Sequence, residues 1–128
     1  MKLLRASITL ALTIALGGCA LPQPAPGLMD VAERPAEKAL LAGMRAYDDA
    51  QYAQAEQSLT QALRSGLASP RDRAAAHKHL AFIYCTSNRV PACETEFRAA
   101  RADDPGFTLS KAEAGHPLWG PVWQRVRQ

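Results

Sequence analysis

Apolar residues recur along the middle of the chain at spacings of three and four, the mark of helices with one buried face. Over residues 37–51, Leu40, Leu41, Met44 and Tyr47 form such a stripe. A second helix is predicted from about Tyr52 to Ser65, with Ala55, Leu59, Ala62 and Leu63 inward. Gly66 follows it, where a helix stop is expected. Pro70 and Asp72 open a third helix through Ala76, Leu80, Ala81, Ile83 and Tyr84. Ser87-Asn88-Arg89-Val90 makes the next turn, and Pro91 stands where a first helical residue tolerates proline. The fourth helix carries Cys93, Phe97 and Ala100 and stops at Asp104-Pro105-Gly106. Ser110 and Glu113 then read as a capping box, opening a short helix through Ala114. Gly115, Pro117, Gly120 and Pro121 rule out one long helix beyond it. If residues 119–126 are helical, Trp119, Val122, Trp123 and Val126 share a face. The expected fold class is all-α, two helical hairpins with a short C-terminal capping helix.

The first residues have a different pattern. Lys2 and Arg5 precede an uncharged apolar run over residues 6–16. That run is about 11 residues, against the roughly 20 that a membrane-spanning helix requires, so it reads as a signal peptide. Leu16-Gly17-Gly18-Cys19 follows and resembles the lipobox of bacterial lipoproteins. An ordinary secretory site wants small residues at both −1 and −3, a place that Leu16 fits poorly. The resemblance implies cleavage after residue 18, with a diacylglycerol and an N-acyl lipid on Cys19. By similarity to enterobacterial sorting, Ala20 implies the outer membrane, with the domain in the periplasm. Residues 19–35, with Pro22, Pro24, Pro26 and Pro35, read as an extended tether of up to about 3 Å per residue. The expected division is therefore 1–18 signal, 19–35 tether, 36–106 helical domain and 107–128 C-terminal cap.

Removing the signal changes the charge balance. The chain holds 15 Lys and Arg against 12 Asp and Glu. Without Lys2 and Arg5 the basic residues fall to 13, scattered among acids, which argues against a nucleic-acid partner. Of the three cysteines, lipid on Cys19 leaves Cys85 and Cys93 as an even pair, as expected in an oxidising compartment. They lie at the end of one helix and the start of the next, and a structural disulfide between them is expected. Two buried thiols or a redox pair are the alternatives, although a redox site favours the tighter C-x-x-C spacing.

The two hairpins resemble tetratricopeptide (TPR) repeats. Gly43, Tyr52, Ala55, Leu59, Ala62 and Leu63 fall at the family's small, aromatic and apolar places in the first unit. Leu80, Ala81, Tyr84, Phe97, Ala100 and Pro105 do so in the second. Small residues let paired helices approach, and bulky ones lock neighbouring hairpins. The units are about 38 residues apart rather than the family's 34, and Ala46 stands where an aromatic is expected. In such repeats the first helix of each pair lines a concave groove. Those positions here are Glu37, Leu40, Met44, Tyr47 and Asp48, then Lys78, Phe82 and Thr86. The expected partner-binding set is Leu40, Met44, Tyr47, Lys78 and Phe82, with Trp119 and Trp123. The two tryptophans serve either as a plug for the open end of the solenoid or as a docking surface.

Candidate chemistry is sparse. His77 and His79 stand two apart on a helix and point away from each other, so they cannot share a metal. No Ser-His-Asp spacing and no phosphate-cradling glycine loop is present. The reading is therefore not an enzyme, with no metal, no small-molecule substrate and no cofactor beyond the Cys19 lipid.

The lipobox, tether, hairpins, cysteine pair and the segment Gly115-His116-Pro117 to Trp119-Gly120-Pro121 together resemble the TssQ family, small TPR lipoproteins associated with type VI secretion. The resemblance implies an accessory protein–protein interaction module of a secretion envelope complex, its partner an envelope or secretion-system protein. A pilotin-like or outer-membrane assembly lipoprotein is the alternative.

Overall fold

A computed structural model describes residue 25 and residues 27–128, so the expected signal peptide and Cys19 lie outside the described residues. Within them the chain is all-helical. Its seven helices are α1 (Leu28–Ala32), α2 (Pro35–Asp48), α3 (Tyr52–Arg64), α4 (Pro70–Thr86), α5 (Val90–Asp103), α6 (Lys111–Ala114) and α7 (Gly120–Val126). The first of these is a departure. Residues 27–32 were expected to continue the extended tether, yet the prolines stop at Pro26 and leave Leu28–Ala32 free to complete a turn. Asp30 accepts a hydrogen bond from the Gly27 N–H at 3.0 Å and so closes the start of that turn.

α2 packs along α3, and α4 along α5, giving two helical hairpins that meet through α3 and α4. Each hairpin turns the corner with the same three-residue device. Ala50 has φ of 58° and Asn88 has φ of 61°, both left-handed. In the first turn the Gln51 N–H donates to the Ala46 carbonyl at 2.7 Å; in the second the Arg89 N–H donates to the Tyr84 carbonyl at 2.7 Å. These bonds satisfy carbonyls that the helix ends leave open. Asparagine tolerates the left-handed region, whereas alanine there costs about 1–2 kcal/mol. Ala50→Gly is therefore expected to stabilise the protein by about 1 kcal/mol, read as a higher urea midpoint with unchanged slope. An unchanged or lower midpoint would count against the strained turn.

Gly43 sets the distance inside the first hairpin. A Cβ added there would lie 2.7 Å from Leu59 Cγ and 3.1 Å from the Leu59 backbone N, so only glycine permits this approach. Leu59, wholly buried, fills the space that Gly43 vacates. The core has two parts. Leu40, Leu59, Leu80 and Ile83 centre the first, between the hairpins. Phe82, Phe97, Trp119 and Trp123 centre the second, where α6 and α7 close over the far end of the second hairpin. α4 feeds both, which is why its apolar residues wrap round it instead of forming one stripe.

Local signals placed most of these boundaries. Ser69 caps α4 by accepting from the Asp72 N–H, and Gly66 adopts φ of +83° just after α3. Ser110 and Glu113 form both hydrogen bonds of a capping box at α6. Pro121 sits in the first turn of α7, and Trp119 becomes its N-cap.

Candidate functional site

The residues expected to line a groove divide in two. Leu40, Phe82, Trp119 and Trp123 are buried, at 6%, 4%, 8% and 2% exposure, so in this conformation they serve as core. Met44, Tyr47 and Lys78 are half-buried and reach the surface. Trp119 and Trp123 thus belong to the core at the end of the second hairpin. The physical reason is the tail: α6 and the turn after it fold across the face of α4 that an open groove would expose.

That closure is built from specific contacts. The Trp119 ring stacks on Phe82 with centroids 4.2 Å apart, and the His116 ring stacks on it at 3.3 Å. The Trp119 Nε1–H donates to the Glu113 carbonyl at 2.8 Å, giving the buried indole its one required partner. Lys78 Nζ donates to Glu113 Oε1 at 2.7 Å, while the other carboxylate oxygen accepts from the Ser110 N–H at 2.9 Å. The ammonium also lies 5.7 Å from the Phe82 ring centroid, within reach of its π-face. Lys78, expected as a partner contact, here fastens the tail.

What remains open beside this lid is a small patch on α2 and α4. Tyr47 packs edge-on against His79 at 5.1 Å and against Tyr52 at 5.6 Å. Burial, together with the negative charges of Asp48 and Glu113, pushes the Tyr47 phenol above its ordinary range. His79 lies buried beneath Tyr47, its Nδ1–H donating to the Ala75 carbonyl at 2.7 Å. Burial pushes its pKa below 6.5, and the Lys78 charge adds to that, while the Ala75 bond, Asp48 and Glu113 oppose it. For Glu113, burial raises the pKa, but the bonds from Lys78 and Ser110 outweigh it and hold the carboxyl below its usual value.

Below neutral pH, the shifts of His79 and Glu113 act with one sign. A histidine depressed in the folded state leaves the unfolded chain to take up the proton first. Stability is therefore full above about pH 7 and falls as the pH drops through the unfolded value near 6.5. A second loss follows below about pH 4.5, as Glu113 and the Arg89-bonded Glu56 protonate. His79→Gln is expected to remove the first loss. Urea midpoints between pH 5.5 and 8 check it, since an equal slope in both proteins would show that His79 does not carry the effect.

The face of α4 opposite His79 carries a second polar cluster. His77 Nδ1 lies 2.6 Å from Glu96 and Nε2 lies 3.3 Å from Asp103. Arg73 pairs with Asp103 at 2.8 Å and donates to the Leu67 and Ala68 carbonyls, fixing the loop between the hairpins. The two histidines do point apart, as their spacing requires. Among the described residues no group of three or more His, Cys, Asp and Glu could hold a metal ion. None of the helices there is long and apolar enough to cross a membrane.

Two features lay beyond sequence reasoning. A cleft of about 270 Å³ opens between the hairpins, lined by Tyr52, Glu56, Ile83, Thr86 and Arg89 among others. Across it Arg89 bonds both carboxylate oxygens of Glu56, at 2.9 and 2.8 Å, with its guanidinium 4.3 Å from the Tyr84 ring centroid. These partners are 33 residues apart, and nothing in the spacing signals them. The cysteines, in contrast, meet as expected: Cys85 and Cys93 are bonded, with Cα atoms 5.2 Å apart. Compared with protein-family models, with curated proteins and with solved structures, the chain matches none.

Proposed function

We propose that the chain is a lipid-tethered envelope protein of TPR type that acts as a protein–protein interaction module, accessory to a type VI secretion complex, and is not an enzyme. The use of its three cysteines carries this reading. One stands at the lipobox position behind a short apolar signal, and the other two are joined to each other. A chain that commits one thiol to lipid and the rest to a disulfide suits an oxidising, membrane-bound location. Two hairpins with identical turns 38 residues apart, and the glycine-to-leucine approach inside the first, support the TPR-like description. Ala20 after the lipobox supports the outer membrane with the domain in the periplasm. The tail segment from Gly115 to Pro121 supports the type VI assignment through its resemblance to the TssQ lipoproteins.

The contact surface in this reading is the patch around Met44, Tyr47 and Tyr52 together with the cleft beside Arg89. Tyr52 is 47% exposed, and tyrosine at an open patch gives contact area at little entropic cost. The anchor and the partner are tested together. Cells supplied with an alkyne-labelled fatty acid are expected to label the wild-type protein and not Cys19→Ala. Crosslinking in the same cells is expected to capture type VI envelope components, and to lose them in Cys19→Ala. Lipid labelling with capture of pilus or β-barrel assembly proteins instead would overturn the secretion assignment and leave the tethered module. Absence of label would overturn the anchor itself.

A further inference from the structure

The surface where α5 meets α7 has an excess of positive charge that no internal contact uses up. Arg98 and Arg125 flank one carboxylate, Glu94, at 2.6 and 3.9 Å. Arg101 donates to the Val126 carbonyl, which ties α7 to α5 without neutralising any charge. Arg127 follows on the exposed last turn. Two guanidiniums therefore share the Glu94 carboxylate, with Arg101 beside them on α5 and Arg127 just past the end of α7, over the buried Phe97, Val122 and Trp123. Arg98 and Arg125 are 62% and 54% exposed, so their outer N–H donors face solvent.

We infer that this seam is a docking surface for a carboxylate-rich segment of a partner protein. Guanidinium forks match carboxylates in a bidentate manner, and Glu94 already shows the pair of arginines closing on one. A membrane surface is the weaker match. Bilayer-binding patches combine basic residues with exposed apolar ones, and the large exposed hydrophobics among the described residues lie on α1, α2, α3 and the turn before α7. None is on the seam. The inference is independent of the lipid anchor, because it uses only the folded domain.

The test uses the full-length protein, purified in detergent, and a fluorescein-labelled deca-glutamate peptide followed by anisotropy. Saturable binding is expected at low salt, weakening at least tenfold between 25 and 250 mM NaCl as the screening length shortens. Arg98→Ala/Arg125→Ala is expected to weaken binding about tenfold or more, with its helical circular dichroism unchanged. Glu94→Gln releases both guanidiniums and is expected to tighten binding severalfold, whereas Glu33→Gln, an equal change of charge elsewhere, is expected to leave it within twofold. Equal effects of the two glutamate substitutions would reduce the surface to net charge and overturn the inference. So would absence of saturable peptide binding, or binding to phosphatidylglycerol vesicles in preference to the peptide.

Discussion

Trp123→Ala is expected to cost about 3–5 kcal/mol, the range for deleting a buried large aromatic. The residue is 2% exposed, and its ring lies 5.4 Å from Phe97 and 5.5 Å from Phe107. Phe97 is itself buried and packs against Phe82 at 6.0 Å, which limits how far it can relax into the space. Domains of this size hold only about 5–15 kcal/mol in all, so the variant is expected to be marginal or unfolded at 37 °C. Urea unfolding followed at 222 nm gives the number. Trp119→Phe provides the contrast: it keeps the stack on Phe82 and loses the bond from Nε1 to the Glu113 carbonyl, for about 1 kcal/mol. A Trp123→Ala protein as stable as the wild type would mean that α7 does not complete the core. The same pair of variants separates cap from contact, since a partner that needs the indoles themselves loses affinity in Trp119→Phe while the fold stands.

What the sequence disclosed, and what it hid, follows from the range of each interaction. Helix starts and stops are written locally, and they were legible. Ser110 signals Glu113 three residues on, Gly66 signals the end of α3, and Pro70 and Pro91 sit in first turns. The cysteine pair was legible because only eight positions separate its members across one turn. The tail was half legible: two tryptophans at helical spacing announce a buried face but not what they cover. That depends on Lys78 meeting Glu113 and Phe82 meeting Trp119, contacts that span 35 and 37 residues. The groove expected from the repeat pattern assumed an open face on α4, and a tail folding over it cannot be read from the periodicity of α4 itself. The charged seam was hidden for a related reason. Arg98 and Arg101 read as ordinary solvated positions on α5 until α7 lays Arg125 beside them.

Breaking the bond between Cys85 and Cys93 is the other change with a large expected effect. The bond joins residues eight positions apart, at the end of α4 and the start of α5. In the chain-entropy account a loop this short is worth about 2.5 kcal/mol, by restricting the unfolded chain. The native geometry needs little from the bond, because backbone bonds from Asn88 to Cys85 and from Arg89 to Tyr84 already hold the turn. Reduction is thus expected to lower stability without changing the fold. Both sulfurs belong to the buried second core, at 5% and 0% exposure, so replacement by serine would add the cost of burying hydroxyls. Reduced wild-type protein is the cleaner probe, since two thiols keep nearly the same volume. Its urea unfolding is expected to give a stability lower by about 2–3 kcal/mol than that of the oxidised form, with circular dichroism unchanged in water. That difference multiplies the folded-to-unfolded ratio by about sixty once the bond forms. A stability gained only under oxidising conditions fits the exported location proposed above from the lipobox. Equal midpoints for the oxidised and reduced forms would remove that link between redox compartment and stability.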